Sequence, residues 1–305
     1  MKYIKIIFAG LFISCSAFPL WAKSGTTAAE FLKFPVGARA SSMGEAFAGL
    51  ANDSSAVYWN PAGLPSMSWT EMTATYSTWI EGISVGNFCC SVPLDSESSF
   101  GVGVTYFNFG SIDKTGINKS DLGTYTAGDI SVTLGYGVKI DRDLSLGLSA
   151  KYISEKIDSE SGSGFAADFG GLYSSKIGEL PVNFGAVLSN IGAKMGPGEK
   201  SDPPTALNAG VTVKLVKDIL NITGGVNAYK ESDMTAGLGA EYLVSDIFTL
   251  RLGYKLFRDD LSGIEPVTAG FGIIYTEKND FMLDYAFTNM GALGLAHKIS
   301  VGVRL

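Results

Sequence analysis

The chain of 305 residues is 46% hydrophobic and 17% charged, contains 38 glycines and carries a formal net charge of −7. The acidic balance excludes a nucleic-acid partner, because a phosphate backbone requires a basic face. With a single histidine, and no Cys-x-x-C or His-x-x-x-His spacing, the sequence also offers no metal cluster, so we expect no metal and no cofactor.

The first residues have the pattern of a secretory signal peptide. A continuous apolar run from Ile6 to Trp21 follows Lys2 and Lys5 and ends before the small residue Ala22. This arrangement predicts a signal peptide over residues 1–22 and export of the remaining chain.

Residues 23–68 are rich in Ala, Gly, Ser and Met. Met43, Phe47 and Leu50 recur at spacings of four and three, which predicts one face of a helix of about three turns. Further on, Asn60-Pro61 predicts a turn, and Gly63 can adopt a positive φ there. On these residues alone, an ordinary connection between a helix and a strand explains the stretch.

The same stretch carries an ordered series of motifs. They are Phe31-Leu32-Lys33, Val36-Gly37-Ala38-Arg39-Ala40, Met43-Gly44-Glu45-Ala46-Phe47-Ala48, Asn52-Asp53-Ser54-Ser55-Ala56 and Tyr58-Trp59-Asn60-Pro61-Ala62-Gly63-Leu64. The series resembles the N-terminal signature of the PorV/PorQ family, which is related to the FadL-type outer-membrane transporters. The resemblance implies a plug over residues 23–68, with motif positions Gly37, Arg39, Met43, Gly44, Asn60, Pro61, Ala62, Gly63 and Leu64.

After Trp69 the apolar residues recur at every second position, as in a β-strand with one apolar face. Clear examples are Leu144 to Tyr152, Phe248 to Leu256 and Lys298 to Leu305, and Leu220 to Tyr229 is among the other runs. About fourteen such runs are present, mostly with the nine to eleven residues that cross a bilayer at a tilt. We therefore predict an all-β fold, a transmembrane antiparallel β-barrel over residues 69–305, with a small helical plug at its N-terminus.

The connections between these runs alternate in length, as they do in bacterial barrels. Short turns such as Asp141-Arg142-Asp143 are predicted on the periplasmic side. Longer connections are predicted on the outer side, at Gly110 to Gly128, Ile191 to Thr205, Phe257 to Ile264 and Thr288 to Leu295. Tyrosines near the strand ends are expected in interfacial girdles, at positions 136, 152, 173, 229, 242, 254, 275 and 285.

The second face of the strands is dominated by Gly, Ser, Thr and Ala with isolated charges. A secreted β-sandwich also alternates, but a narrow, filled lumen fits this composition better. The charges expected in the lumen include Lys151, Asp168, Glu241, Arg251 and Asp284. Salt-bridge networks are their simplest role, and a selectivity lining is the alternative. From the plug, Arg39 and Glu45 are expected to pair with lumen charges.

The resemblance implies a non-enzymatic protein of the outer membrane of a Gram-negative-type bacterium, with no catalytic residues. It further implies a role in protein export, as a type IX secretion-like shuttle for proteins with a C-terminal signal domain. Passive transport of hydrophobic small molecules, as in FadL-type proteins, is the alternative, and a structural anchor is a third. Expected partners are outer-membrane lipid together with secreted proteins and secretion-complex components, or hydrophobic small molecules.

Overall fold

The computed structural model describes residues 27–79, 82–115, 121–216, 219–231, 234–256, 267–290 and 294–305. The predicted signal peptide, residues 1–22, and the predicted outer connection Phe257 to Ile264 lie outside these ranges. Within them, fourteen antiparallel strands close into a barrel, which confirms the predicted fold class.

The strands follow one another around the barrel in chain order. They are β1 (Glu71–Thr78), β2 (Ser84–Pro93), β3 (Ser98–Thr115), β4 (Asp121–Lys139), β5 (Leu144–Ile157), β6 (Glu160–Ile177), β7 (Leu180–Gly192), β8 (Ala206–Lys214), β9 (Leu220–Tyr229), β10 (Thr235–Leu243), β11 (Phe248–Leu256), β12 (Val267–Thr276), β13 (Asp280–Asn289) and β14 (Leu295–Arg304). The seam joins β1 to β14, with Glu71 opposite Arg304.

The outer surface of the barrel is apolar. On β11, Leu250, Leu252 and Tyr254 are exposed on that surface, whereas Thr249 and Lys255 are buried on the lumen side. Such a band faces lipid in transmembrane barrels.

The predicted tyrosine girdle is only partly observed. The tyrosines at positions 136, 152, 242, 254 and 275 are exposed on the outer surface. Tyr229 was assigned to the girdle wrongly, because it lies in register with the lumen-facing residues of β9. Its ring meets the plug, with the amine of Lys33 5.1 Å from the ring centroid.

Tight turns on one side of the barrel share a side-chain hydrogen bond. Oδ1 of Asp95 accepts from the backbone N–H groups of Glu97 and Ser98, at 2.8 and 2.7 Å. Asp141 and Ser245 make the same pattern in the β4–β5 and β10–β11 turns, as short polar side chains do in turns. These bonds also hold the pKa of the Asp95 carboxyl below its ordinary value. These turns lie on the same side as both barrel termini, and in bacterial barrels the side with the short turns is the periplasmic one.

The predicted outer loop Gly110 to Gly128 is wrong in its secondary structure. Strands β3 and β4 contain 18 and 19 residues, and they form a long hairpin that covers most of this range. The hairpin begins beyond a register shift between Asn108 and Ser111. Since both faces of this extension meet water, its residues do not alternate, and the periodicity that identifies a membrane strand is absent.

The plug, residues 27–68 of the described chain, contains only short helices. They are a 3-10 helix at Glu30–Lys33, α1 (Ala38–Ser41), α2 (Ala56–Trp59) and a second 3-10 helix at Pro61–Ser66. None of the described helices is long and apolar enough to cross a membrane.

The three-turn helix predicted through Met43, Phe47 and Leu50 is wrong. Gly44 and Glu45 both have φ near +64°, which breaks a right-handed helix. The three apolar side chains are nevertheless buried together, in a cluster that also contains Val57. The plug therefore has a hydrophobic core of its own.

Candidate functional site

Asn60 links two segments of the plug to each other and to the barrel wall. Its side chain is fully buried on an extended backbone with φ −165°. Nδ2 donates to the carbonyls of Ala48, at 2.9 Å, and Gly171 of β6, at 3.1 Å. Oδ1 accepts from the N–H of Ala62, at 3.1 Å. With donor and acceptor both engaged, an asparagine at this position fixes three segments of the chain together.

The residues after Asn60 fill the narrow space between plug and wall. Pro61 begins the second 3-10 helix, where its missing N–H has no cost. Gly63 does not have the predicted positive φ; instead, a Cβ there would collide with the carbonyl of Ala51. Leu64 is fully buried in the core of the plug.

Glycines of the barrel wall accommodate the plug backbone. Each strand from β3 to β12 has at least one lumen-facing glycine at which a Cβ atom would contact the plug. The glycines are Gly101, Gly103, Gly135, Gly137, Gly147, Gly170, Gly185, Gly210, Gly225, Gly237, Gly239, Gly253 and Gly270. Many lie side by side on adjacent strands, as in the series Gly185, Gly210, Gly225 and Gly237. We call this set the glycine ring.

Two further motif glycines take conformations that other residues rarely adopt. Gly37, with φ +81°, precedes α1, and the next N–H, of Ala38, donates to Oγ of Ser300 at 3.0 Å. Gly44, with φ +64°, donates its own N–H to Oγ1 of Thr268 at 3.1 Å. Both turns therefore bring plug backbone within hydrogen-bonding distance of wall side chains.

Arg39 lies at the centre of a charge network on the periplasmic side of the plug. Its Nε and Nη2 donate to the two carboxylate oxygens of Glu241, each at 2.8 Å. Its Nη1 donates to Asn52 and Asp53 of the plug, at 2.8 and 2.9 Å. Paired donors to one carboxylate are the strongest geometry of this interaction. The network therefore joins the plug to β10.

The wall continues this network on three more strands, β9, β11 and β13. Arg251 of β11 donates to Glu241 at 2.8 Å and to Asp284 of β13. Nδ2 of Asn221 also donates to Glu241, at 3.1 Å. The structure thus brings three of the predicted lumen charges together around one plug arginine. The other two, Lys151 and Asp168, lie on a different part of the wall.

Lys151 and Asp168 are buried beside an irregularity of the wall. Their side chains form an ion pair of 2.9 Å and are 2% and 0% exposed. Asp168 also accepts from the backbone N–H of Asn190, at 2.8 Å, where the β6–β7 register shifts. Asn190 has φ +57°, and its Oδ1 accepts from Lys151 at 2.6 Å. The carboxylate replaces a backbone partner that the shifted ladder cannot supply.

A second group of charges lies nearer the outer side. Glu45 of the plug forms an ion pair with Lys255 of β11. Lys298 of β14 donates to the carbonyl of Pro35 and to Oγ of Ser41, and its amine lies 4.1 Å from the centroid of the Phe34 ring. The two plug charges that were expected to pair with lumen charges therefore do so, Arg39 with Glu241 and Glu45 with Lys255.

An apolar cluster occupies part of the outer half of the lumen. Phe31 and Phe34 of the plug pack on Phe107, with ring centroids 5.7 and 5.0 Å apart. The hydroxyl of Tyr58 donates to the carbonyl of Leu32, at 2.6 Å. Burial and nearby acidic groups raise the pKa of this hydroxyl well above its ordinary value, so it remains a donor at physiological pH.

A cavity of about 420 Å³ lies between the plug and the periplasmic end of the wall. Its lining includes Arg39, Glu241 and Arg251 from the network, together with Glu71 and Arg304. The last two form an ion pair of 2.9 Å across the seam. Within the described ranges, no cluster of three or more His, Cys, Asp or Glu side chains could hold a metal.

Sequence reasoning missed several members of these networks. Asp53, Glu71 and Asn190 were not singled out, although each bonds a predicted residue or bridges plug and wall. For Glu71 the available signal was its place at the start of the first strand, directly after the plug. Asn190 gave no such signal, because the register shift that places it inward is not visible in the residue pattern. The single histidine, His297, is on β14, where its Nδ1 lies 2.7 Å from the Tyr285 hydroxyl.

The combination of a charge-anchored plug and a glycine-lined wall can be compared with known families. The family model described as "Type IX secretion system protein PorV" matches residues 22–230. The chain belongs to the PorV family. The match spans the plug and the strands as far as β9, so it includes the motif residues and the Lys151–Asp168 pair. No curated protein has a sequence that matches this PorV-family chain significantly.

Solved structures share the fold at low sequence identity. The Pseudomonas putida toluene transporter TodX has a TM-score of 0.60 and 12% identity, over 88% of this chain and 96% of that one. A Pseudomonas aeruginosa FadL homologue has a TM-score of 0.55 and 11% identity, over 88% and 98%. The Ralstonia pickettii toluene transporter TbuX has a TM-score of 0.54 and 12% identity, over 88% and 97%. At these identities the PorV-family protein shares their fold, and nothing about substrates follows.

Proposed function

We propose that this PorV-family barrel takes part in protein export across the outer membrane, as a component of a type IX-like secretion pathway. After removal of residues 1–22, the barrel would accept secreted proteins that carry a C-terminal signal domain and deliver them to an attachment complex at the cell surface. The family membership supports this assignment.

The filled lumen is the structural observation that carries the proposal. The plug has its own buried core, contacts the glycine ring on strand after strand and forms ion pairs with β10 and β11. A barrel filled in this way presents its ends and its outer surface to partners. Such a body is suited to docking proteins rather than to conducting them.

A comparison of secreted proteins tests this function. The secreted, surface and periplasmic fractions of the native organism are quantified by mass spectrometry, with and without this gene. We expect a set of proteins that share a C-terminal domain to leave the outer fractions and accumulate in the periplasm. An unchanged set of secreted proteins would overturn the export function.

The second candidate is passive uptake of hydrophobic small molecules, which the apolar cluster in the outer half of the lumen favours. In this structure the plug residues Phe31 and Phe34 occupy that space, so uptake requires this segment to move. Cellular uptake of a labelled fatty acid and of labelled toluene measures it. Equal uptake with and without the gene would eliminate this candidate, and slower uptake without it would favour it over export.

A further inference from the structure

The outer end of the barrel carries a sheet that extends beyond its neighbours. Strand β2 pairs with β3 only as far as Asn108, and β7 pairs with β6 only as far as Ala166. Beyond these points β3, β4, β5 and β6 continue to pair with one another. In the described part of the chain, neither edge of this extension has a neighbouring strand.

The direction of the backbone groups on the β6 edge follows from the ladder. The N–H of Asp158 donates to the carbonyl of Thr126 on β4, at 3.1 Å. The backbone N–H and C=O groups of successive strand residues point to opposite neighbouring strands. Those of Ile157 therefore point to β6, where Ile157 pairs with Glu160. Ser161 and Ser163 are one and three residues further along β6. Their N–H and C=O groups therefore point away from β5, into the open edge.

The two edges of the extension differ in their protection. The β3 edge has register shifts near Ser111 and Lys114, a glycine with φ +72° at position 110 and the charged side chain of Lys114. Bulges and charges of this kind prevent edge-to-edge pairing. The β6 edge, residues 160–165, pairs with β5 without a shift, and positions 161–164 are serines and glycines. Only the β6 edge therefore remains suited to accept a strand.

The connection that follows β7 leaves the β6 edge open. It turns over the lumen, where Met195 and Gly196 pack on the lumen faces of Gly164 and Gly162. Among the described residues, no backbone hydrogen bond joins Ser161 or Ser163 to a residue outside β5. The serines are exposed, and each offers one donor and one acceptor.

A second copy of this chain does not fit the edge. Two copies in one membrane point the same way and are related by an axis along the membrane normal. Because barrel strands tilt by about 35–45°, the two β6 edges would cross at an angle of roughly 70–90°. Crossed strands cannot form a ladder, so the geometry argues against a second copy as the occupant.

We propose that the β6 edge, residues 160–165, binds an extended segment of a secreted protein, which adds to the sheet as a fifth strand of the extension. The identity of the partner rests on the proposed export function. An edge of small residues recognises the backbone of the incoming strand and imposes little preference on its sequence. A site that binds several different secreted proteins requires this property. Phe165, which is 72% exposed beside the edge, provides a surface for one apolar side chain of the incoming segment.

The experiment removes one backbone N–H donor from the β6 edge and leaves the lumen-facing residues of the strand unchanged. Ser163→Pro deletes the outward N–H, which makes no ladder bond to β5, whereas the matched control Ser163→Ala keeps it. A photo-crosslinking amino acid at Ser161 is introduced into both variants and the otherwise unchanged protein, in the native organism. The mobility shift of the barrel on heating in detergent verifies that each variant is folded.

We expect crosslinks from position 161 to a strand-forming segment of a secreted protein, in the unchanged protein and in Ser163→Ala. Ser163→Pro should reduce both the crosslink and the export of that protein about tenfold, because a hydrogen bond is lost and the proline ring obstructs pairing. A folded Ser163→Pro barrel with normal crosslinks and export would overturn the proposal, as would a crosslink only to a second copy of the chain.

The outcomes also separate this proposal from the export function itself. If deletion of the gene impairs export but Ser163→Pro does not, export stands and the edge site is wrong. If deletion leaves export unchanged but a proline-sensitive crosslink to a surface protein persists, the edge site stands with a partner of another class.

Discussion

Arg39 is the residue on which the attachment of the plug depends most directly. Its side chain is 17% exposed and contacts Glu241, Asp53 and Asn52. Replacement of Arg39 by Ala should destabilise the docked plug by about 2–4 kcal/mol, because two carboxylates lose their shared cation while Glu241 keeps Arg251. The thermal midpoint of the barrel and the protease resistance of the plug measure this loss.

The control for this prediction is Lys230→Ala. That lysine forms an exposed pair with Asp202, with side chains 52% and 34% exposed, and such pairs contribute little. Arg39→Lys should be intermediate, since a lysine keeps the charge but not the paired geometry. Equal stability of Arg39→Ala and the unchanged protein would show that the network does not hold the plug.

The Lys151–Asp168 pair should behave as a coupled unit. Asp168→Asn alone leaves the ammonium of Lys151 buried without its anion, and a loss of about 3 kcal/mol is expected. The double variant Lys151→Met, Asp168→Asn should recover most of that loss, because the amide can still accept the Asn190 N–H and no charge remains. A double-mutant cycle of thermal midpoints provides the coupling, and additive losses would contradict it.

At the scale of the element, the glycine ring determines how closely the plug fits. A Cβ at Gly185 would lie on the backbone of Ala48 and Gly49. We expect Gly185→Ala to lower stability by about 1–3 kcal/mol through overpacking. Gly86→Ala is the matched control, because a Cβ at Gly86 meets no atom within 4 Å. Similar midpoints for the two variants would refute the requirement for close approach.

The short strands are the elements that the sequence predicted best. The bounds predicted for β9 and β11, Leu220–Tyr229 and Phe248–Leu256, are those observed, because lipid on one side and a polar lumen on the other impose strict alternation. The outer parts of β3 and β4 were assigned to a loop, since water on both faces imposes no pattern. Inside the plug, the helical spacing of Met43 and Phe47 reflected a shared core rather than a helix.

The sequence predicted which residues belong to the candidate site better than it predicted which of them contact one another. The motif and the lumen charges could be named from the signature and from strand parity. Which charges meet could not, because Glu241 and Arg39 are 202 positions apart and only barrel closure brings them together. The β6–β7 register shift could not be predicted either. Two residues of β7 lie opposite one residue of β6 there, and the alternation of the sequence does not show it.

At the scale of the whole molecule, the plug determines whether the barrel conducts. A variant that lacks residues 27–68 should form a barrel with a water-filled lumen, since the wall facing it is polar or small. Planar-bilayer recordings should show conductance for this variant and little for the intact protein. Comparable conductance in both would mean that the plug does not occlude the lumen.

The position of the first described residues has a consequence for biogenesis. The N–H of Ala28 donates to the carbonyl of Asp202 in an outer connection, whereas β1 begins on the periplasmic side, opposite Arg304. The polypeptide therefore runs down the lumen before its first strand starts. Closure of β1 on β14 therefore encloses a segment of the same chain that already runs along the lumen, so the wall and the plug have to be assembled together.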